Sequence, residues 1–115
     1  MADGVKEINF DEWMDLDLRV AEVKQVEDIE DADKLYKINL DVGELGGRTV
    51  CAGLKPYYSK EDLKGKKVIY FSNLKPRKLK GIESQGMLLA ASKENHGKVV
   101  LITPEKDIES GSRIS

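Results

Sequence analysis

The sequence has one cysteine, Cys51, and one histidine, His96, among its 115 residues. Because a lone cysteine cannot form an internal disulfide, the chain suits a reducing compartment. These two residues supply neither a nucleophile with a separate base nor a zinc donor set, and the sequence has no phosphate-binding loop or dinucleotide fingerprint. We therefore expect no cofactor and no metal. An enzyme would depend on Cys51, in a predicted strand where cysteine is commonly a buried hydrophobe, or on His96, in a predicted polar turn.

Long hydrophobic runs are also missing, and none could span a bilayer. The N-terminal residues, MADGVKEINF, lack the basic flank and apolar stretch of a signal peptide, so we expect a cytoplasmic protein with no membrane contact. The acidic loop EDIEDAD, residues 27–33, lacks the glycine and distal glutamate of an EF-hand, which favours a solvated loop over a calcium site. The length predicts one domain covering residues 1–115.

Charge is unevenly distributed, although the net charge is only -2. Residues 1–47 carry five basic and fourteen acidic side chains, whereas residues 48–98 carry twelve basic and four acidic ones. Such an asymmetry predicts one face that attracts polyanions while the rest of the surface keeps the protein soluble. The alternative is that folding interleaves the two halves and cancels the field.

Hydrophobic periodicity predicts mainly strands. The segment KLYKINLDV, residues 34–42, alternates and predicts a half-buried strand. Upstream, LDLRVAEVKQV changes phase between Val20 and Ala21, which predicts a bulge there and a bent strand. A further strand, RTVCAGL at 48–54, follows a glycine-rich turn. Three apolar runs without alternation predict strands buried on both faces, at 66–74, 86–92 and 98–104.

Two short helices complete the prediction. One lies around NFDEWM, with Asn9 or Asp11 as its cap; Phe10 and Trp13 are expected to pack on the barrel, the alternative being a partner. The other begins after Ser59, which has capping-box spacing to Asp62. Six or seven short strands, with a helix between the third and fourth, predict an all-β OB-fold: a five-stranded Greek-key barrel that binds oligonucleotides across one face. We expect residues 10–92 to form the barrel and residues 93–115 a C-terminal extension that packs on it or on a second subunit.

The segment NLKPRKLKGIESQGMLLAAS, residues 73–92, concentrates positive charge before an apolar run. Pro76 restricts this backbone, so the neighbouring cations lose less entropy on meeting a ligand, and each phosphate they neutralise releases counterions. The flanking polar side chains can hydrogen-bond phosphate, ribose or base edges, and Met87 can contact an unstacked base. The predicted binding residues are Asn73, Lys75, Arg77, Lys78, Lys80, Ser84, Gln85 and Met87. The alternative is a soluble sheet edge that lysines protect from aggregation.

The segments LDLRV, ADKLY, AGLKPYYSKEDLKGKKV and NLKPRKLKGIESQGMLLAAS, in this order and spacing, resemble the tRNA-binding OB-fold module over about residues 10–114. That module is the C-terminal domain or beta chain of methionyl-tRNA synthetases and also occurs as a free-standing, structure-specific tRNA-binding protein. The resemblance implies a non-catalytic protein that binds tRNA by shape, commonly at its outer corner. Its implied partners are tRNA, a methionyl-tRNA synthetase catalytic chain, and a second copy that meets the C-terminal extension.

The resemblance maps the family's tRNA-contacting pattern onto five of the predicted residues, Asn73, Lys75, Lys78, Ser84 and Met87, while Arg77 and Lys80 are this chain's own additions. One departure is the replacement of the family's His-Pro-Asn by Ile29, Glu30 and Asp31, which puts an RNA contact from the acidic loop in doubt. The competing function is a dimeric, chaperone-like export protein of the same fold superfamily, which would bind unfolded peptides through apolar grooves.

Overall fold

The computed structural model describes residues 4–93 and 97–115, so the turn predicted at His96 lies outside the described residues. The described part contains two short α-helices, α1 (Phe10–Met14) and α2 (Lys60–Leu63), and a 3₁₀ turn at Gly43–Leu45. Its strands are β1 (Leu18–Asp28), β2 (Tyr36–Asp41), β3 (Gly47–Ala52), β4 (Lys67–Phe71), β5 (Arg77–Leu79), β6 (Ile82–Ser84), β7 (Met87–Leu88), β8 (Ala90–Lys93) and β9 (Lys98–Leu101). None of the described helices has the length or apolar character that crossing a bilayer requires.

Five strands form an antiparallel sheet in the order β3-β2-β1-β4-β7, and the chain after β6 closes it. The backbone N–H of Gln85 donates to the carbonyl of Thr49 on β3 at 2.8 Å. The sheet is thereby a nearly closed five-stranded barrel with α2 between β3 and β4, and the predicted OB-fold is confirmed.

Side chains of β2, the strand with the clearest alternation in the sequence, pack in the barrel interior. On β2, Tyr36, Ile38 and Leu40 are at most 5% exposed, as is Val42 just after it, while the residues between them face outward. They pack against Val50 and other buried side chains in one apolar cluster. The predicted half-buried strand is confirmed.

The bulge predicted in β1 exists, but not where the phase changes. Val20 and Ala21 are both buried because they lie on opposite faces: Val20 packs with Ile69 outside the barrel, and Ala21 belongs to the interior cluster. The register against β2 shifts instead between Val23 and Gln25. When both faces of a strand are buried, apolar residues occur in both alternation phases without any bulge. The sequence pattern alone then looks like that of a bulged strand.

Of the three continuous apolar runs, only the first is buried on both faces. In β4, Val68, Ile69 and Tyr70 are all buried. The runs at 86–92 and 98–104 do form strands, as predicted, namely the short strands β7, β8 and β9, but the burial predicted on both faces is wrong, since Met87 is 44% exposed and Val100 is 54% exposed. Their strands lie at the margin of the barrel, where no second layer of this chain covers the described residues. The strand count is correspondingly larger than predicted.

Both predicted helices are present with their predicted caps. Asn9 precedes α1, and its backbone N–H donates to the Glu12 carboxylate at 3.1 Å. In α2, the Ser59 hydroxyl accepts from the Asp62 backbone N–H at 3.1 Å. The packing expected of α1 is confirmed for Trp13 alone, since Phe10 is 72% exposed.

After β9, the chain returns to the start of β1 and lies beside it. The Val20 N–H donates to the Ser112 carbonyl at 2.9 Å, and the Ile114 N–H donates to the Leu18 carbonyl at 2.8 Å. β2 pairs with β1 only from Glu22 onward, so the returning chain pairs with the part of β1 that β2 leaves open. Gly111, at φ 91°, permits this approach because a Cβ there would lie 3.0 Å from the Val42 carbonyl oxygen.

Candidate nucleic-acid interface

The predicted basic loop is a β-hairpin, which we call the basic hairpin, residues 77–84. Strands β5 and β6 are joined by Lys80 and Gly81, whose φ angles are 51° and 79°. Two consecutive positive φ values are those of a type I′ turn, whose twist suits a tight hairpin. The hairpin therefore holds Lys80 at its tip on a defined backbone.

One face of the basic hairpin is anchored to the barrel. Leu79 and Ile82 are opposite one another and pack against a small apolar cluster that includes Ile29 and Cys51. Because side chains alternate along a strand, the pair formed by Lys78 and Glu83 lies on the other face. The apolar anchor thus turns Lys78 outward.

The four predicted cations, Lys75, Arg77, Lys78 and Lys80, are all exposed. Within residues 4–93 and 97–115, none of them forms an ion pair with a carboxylate. Other cations of residues 48–98 are neutralised by ion pairs with carboxylates.

Asp28 provides the clearest case of that neutralisation. Lys55 lies 3.0 Å and Lys60 2.5 Å from its carboxylate oxygens, and Lys67 pairs with Asp107 at 2.8 Å. Hydrogen bonds from Lys60 and then Lys55 lower the pKa of Asp28. Folding therefore cancels charge between Asp28 of the acidic half and the lysines around α2, whereas the described part of the chain offers no ion-pair partner to Lys75, Arg77, Lys78 or Lys80.

A cleft of about 350 Å³ lies between the hairpin and the end of the barrel. Its lining combines cations with apolar side chains and consists of Cys51, Leu74, Lys75, Arg77, Ser84, Gly86 and Met87. Gly86 is required here, since at φ 98° a Cβ would lie 2.2 Å from the Phe71 carbonyl oxygen. The structure thus brings two predicted cations and Met87 to one concave surface.

All three predicted polar residues, Asn73, Ser84 and Gln85, are engaged in the fold, and the side-chain oxygen of Gln85 accepts from the Thr49 N–H at 2.9 Å. Ser84 is 3% exposed, and its hydroxyl accepts from the Cys51 N–H at 2.9 Å and donates to the Gly86 carbonyl at 3.3 Å. The Asn73 side chain accepts from the Asp17 N–H at 2.9 Å and donates to the Asp15 carbonyl at 2.7 Å. These side chains position the ends of the segment that carries the cations.

Asp17 is the centre of the network that receives Asn73. Its carboxylate pairs with Arg19 at 2.8 Å and with Arg113 at 3.5 Å, and it accepts from the Ser72 hydroxyl at 2.5 Å. Burial alone would raise the pKa of Asp17, but the hydrogen bonds from Ser72 and Arg19 and the charges of both arginines outweigh it and lower the pKa. The network ties the C-terminal residues to the base of the basic segment.

The acidic loop borders the hairpin tip. Asp31, at φ 61°, lines a shallow cleft of about 320 Å³ together with Asp33 and Lys80. Ile29 and Ala32 are buried beneath it, and this fixes the loop while leaving its carboxylates exposed. The loop that departs from the family pattern is therefore next to the predicted RNA-binding cations.

The structure also brings together four polar side chains that sequence patterns did not place next to one another. Gln25, Asn39 and Thr49 are Cα partners on β1, β2 and β3, and their side chains join Gln85 in a row that we call the polar ladder. Strand alternation showed that Asn39 faces outward. It could not show which residues of other strands lie beside it.

Cys51 offers little to an enzyme. Its thiol is buried among Ile29, Leu79 and Ile82, and burial raises its pKa, which disfavours the reactive thiolate. Within the described ranges, no group of three or more His, Cys, Asp or Glu residues is arranged to hold a metal ion.

Comparison with protein families gives a match over residues 18–113 to the family described as "Putative tRNA binding domain". Among curated proteins, the methionine–tRNA ligase of Caldanaerobacter subterraneus subsp. tengcongensis is 54% identical over 108 residues, which are 94% of this chain and 16% of that protein. The methionine–tRNA ligase of Thermococcus onnurineus is 47% identical, over 96% of this chain and 15% of that protein. The chain thus spans about a sixth of the length of these relatives.

Two solved structures cover nearly the whole chain. A MetRS-related protein from Pyrococcus horikoshii superimposes with a TM-score of 0.88 at 38% identity, covering 96% of this chain and 100% of that one. The chaperone CsaA from Bacillus anthracis superimposes with a TM-score of 0.86 at 30% identity, with the same coverage. The chain is thus similar over nearly its whole length both to a MetRS-related protein and to a protein described as a chaperone.

Proposed function

Because the chain belongs to the family of tRNA-binding domains, we propose that it binds folded tRNA through the basic hairpin and the cleft beside it, without catalysing a reaction. The observation that carries this proposal is the set of four exposed cations, none of them in an ion pair with another described residue, on one anchored segment of an otherwise acidic protein. A polyanion is the ligand that such a surface attracts.

The predicted residues divide into two roles in this proposal. Lys75, Arg77, Lys78 and Lys80 contact phosphates, and Met87 provides an apolar contact for an unstacked base at the cleft. The remaining three, Asn73, Ser84 and Gln85, hold the backbone that presents them. Phosphate contacts position a protein without reading sequence, so selection depends on where the RNA backbone places its phosphates. Shape selectivity follows from that dependence.

We propose an accessory role in the cytoplasm. The relatives that this chain matches are about six times longer methionine–tRNA ligases, and this chain corresponds to a small part of each. Bound to a methionyl-tRNA synthetase catalytic chain, the module would add a second attachment point and raise the effective concentration of tRNA. In an aminoacylation assay, adding the module should lower the KM for tRNA and leave kcat unchanged.

We further propose that residues 10–92 act as the binding barrel and that residues 93–115 meet a second copy of the chain. The support is the apolar surface that the chain leaves exposed at Val100, Ile102 and Ile108, each more than 40% exposed. Phe10, at 72% exposure, adds to the apolar surface on the N-terminal helix. Burying such surface between two copies removes it from water.

The second candidate function is peptide binding by a chaperone-like dimer. It is favoured by the similarity to CsaA and by the same exposed apolar side chains. The two functions differ in their dependence on charge. Loss of the four cations at residues 75–80 should leave binding of an unfolded peptide to apolar surface unchanged, whereas it should weaken tRNA binding.

The testing experiment measures tRNA affinity as salt is raised, for wild type and for a variant with Lys75, Arg77, Lys78 and Lys80 replaced by alanine. Four lost phosphate contacts should reduce the slope of log K against log salt by about 3 units. A matched control replaces the exposed lysines Lys6, Lys24, Lys64 and Lys106 by alanine, which removes the same charge from other surfaces. Equal slopes in the two variants would contradict the hairpin as the binding surface.

A further inference from the structure

The basic segment, residues 73–84, is attached to the barrel at both of its ends. Ser84 attaches the C-terminal end through its hydrogen bond to the backbone of β3. Asn73 attaches the N-terminal end through its side chain. Between Asn73 and β5, residues 74–76 form no backbone hydrogen bond with other residues that the structure describes. The position of the first cation, Lys75, therefore depends on the attachment at Asn73.

Asp17 receives the N-terminal end of the basic segment with both its backbone and its side chain. Its N–H donates to the Asn73 side-chain oxygen at 2.9 Å, and its carbonyl accepts from the Ser72 N–H at 2.8 Å. Its carboxylate accepts from the Ser72 hydroxyl at 2.5 Å. Asn73 also donates to the Asp15 carbonyl at 2.7 Å. Because a backbone N–H can only donate and a carbonyl can only accept, these two partners fix the orientation of the Asn73 amide.

Two arginines hold Asp17 in turn. The Nε atoms of Arg19 and Arg113 lie 2.8 Å and 3.5 Å from the same oxygen of its carboxylate. Arg113 also donates to the carbonyls of Met14 and Leu16, at 3.2 Å and 3.4 Å. Since Arg113 is paired with β1 opposite Arg19, it belongs to the chain that returns along the barrel. Arg113 thus ties the linker between α1 and β1 to the C-terminal chain.

We propose that Asp17, held by Arg113, is a positioning residue that determines the selectivity of this chain for folded tRNA over unstructured RNA. This inference rests on the proposed function. Unselective attraction to RNA depends on how many phosphates the cations neutralise, so a loose basic segment retains it. Matching the phosphates of one folded shape requires cations at fixed positions, because ordering a loose segment on binding costs free energy. An unstructured RNA adapts its backbone to either arrangement.

The test compares the full chain as wild type and as Asp17→Asn for binding to total tRNA and to an unstructured RNA of equal length. The dissociation constant for tRNA should rise about 3- to 10-fold, the cost of ordering one or two further side chains on binding. The dissociation constant for the unstructured RNA should change by less than about twofold, because all four cations remain. The preference for tRNA should fall accordingly.

Asp15→Asn is the matched control, since it removes the same charge from the same linker. The Asp15 side chain is exposed and forms no ion pair with another described residue. Simple electrostatics predicts that loss of either carboxylate leaves RNA binding unchanged or strengthens it. Positioning predicts the opposite sign for Asp17→Asn alone, at every salt concentration and with an unchanged slope of log K against log salt.

Arg113→Met tests whether Arg113 acts through Asp17. If it does, combining Arg113→Met with Asp17→Asn should cost no more tRNA affinity than Asp17→Asn alone, since coupled residues are not additive. Lys106→Met removes an exposed cation from the same C-terminal extension and is the control for charge. A direct phosphate contact by Arg113 would add its own loss, weaken both RNAs and reduce the salt slope by about 1 unit. That result would overturn the role assigned to Arg113.

A destabilised variant with an intact network separates positioning from stability. Ile38→Val shortens a fully buried side chain in the barrel interior and should bind both RNAs like wild type, at temperatures where thermal unfolding shows every variant folded. A wild type that prefers tRNA while Asp17→Asn keeps that preference would overturn the positioning role alone. Equal weakening of both RNAs in Asp17→Asn would also overturn it. A wild type without preference for tRNA would overturn the proposed function and this inference together.

Discussion

The backbone N–H of Cys51 on β3 donates to the hydroxyl of Ser84, the last residue of β6, at 2.9 Å. This buried hydrogen bond lies where the chain after β6 closes the barrel against β3. Ser84→Ala leaves this buried N–H without its partner, so we predict a loss of about 1–3 kcal/mol in the free energy of unfolding. Denaturant titration measures it. At temperatures where the variant stays folded, its salt slope for tRNA should equal that of wild type, because no phosphate contact is removed.

Ser92→Ala is the control for this prediction. Ser92 is exposed on β8, and the same change in composition there should alter the free energy of unfolding by less than about 0.5 kcal/mol. If Ser84→Ala is as stable as Ser92→Ala but loses tRNA affinity, Ser84 is a direct ligand and its assigned structural role is wrong.

The Asp17 network predicts a pH dependence of stability. The folded state lowers the pKa of Asp17, so its contribution is fully present above the unfolded value of about 3.9 and is lost as pH falls through the lower folded value. Asp17→Asn should therefore be less stable than wild type at pH 7, by about 1–2 kcal/mol. The difference should shrink below about pH 4. Urea unfolding at pH 7 and pH 3 measures both values, and a constant difference would contradict the ion-pair account.

The acidic loop predicts that removing its charge strengthens RNA binding. Asp31 shares a cleft with Lys80, so neutralising Glu30 and Asp31 should raise tRNA affinity at low salt, by about 2- to 10-fold, and less at high salt. Asn is the suitable replacement for Asp31 because it tolerates a φ of 61°. Glu7 and Glu105, exposed and elsewhere in the chain, provide the control pair. Unchanged affinity would mean that RNA does not approach this loop.

The exposed apolar surface of the C-terminal extension predicts self-association. Val100→Lys and Ile102→Lys together should shift the protein from twice the 12.9 kDa chain mass toward the monomer in sedimentation equilibrium. Tyr57→Lys changes a similarly exposed apolar residue near α2 and should leave the dimer intact. A wild type that sediments as a monomer at micromolar concentration would contradict the proposed interface.

Local patterns in the sequence were sufficient for much of the fold. The alternation in β2 and the caps at Asn9 and Ser59 depend on neighbours within a few residues, and each is present as predicted. The position of the bulge in β1 was not predictable, because it depends on what covers each face of the strand. Val20 is buried in a cluster that includes Trp13, which lies on α1, and Ile114, which lies near the C-terminal end of the chain. Neither contact can be recognised from the residues next to Val20.

The same distinction applies to the candidate site. The positive charge of Lys75, Arg77, Lys78 and Lys80 is a composition signal, and the sequence located it. The role of Ser84 is different, since a serine beside a basic segment looks available for a ligand until Cys51 is placed against it. The polar ladder needs the register of three strands, which no local pattern contains.

The measurement that tests the central claim most directly is competition for the protein between labelled tRNA and three unlabelled competitors at one ionic strength. The competitors are total tRNA, an unstructured RNA of equal length and an unfolded peptide. We predict that total tRNA displaces the label at concentrations at least about tenfold lower than the unstructured RNA, since a difference of about 1.4 kcal/mol corresponds to that factor. The peptide should not displace it. Equal displacement by both RNAs, or displacement by the peptide, would contradict shape-selective tRNA binding.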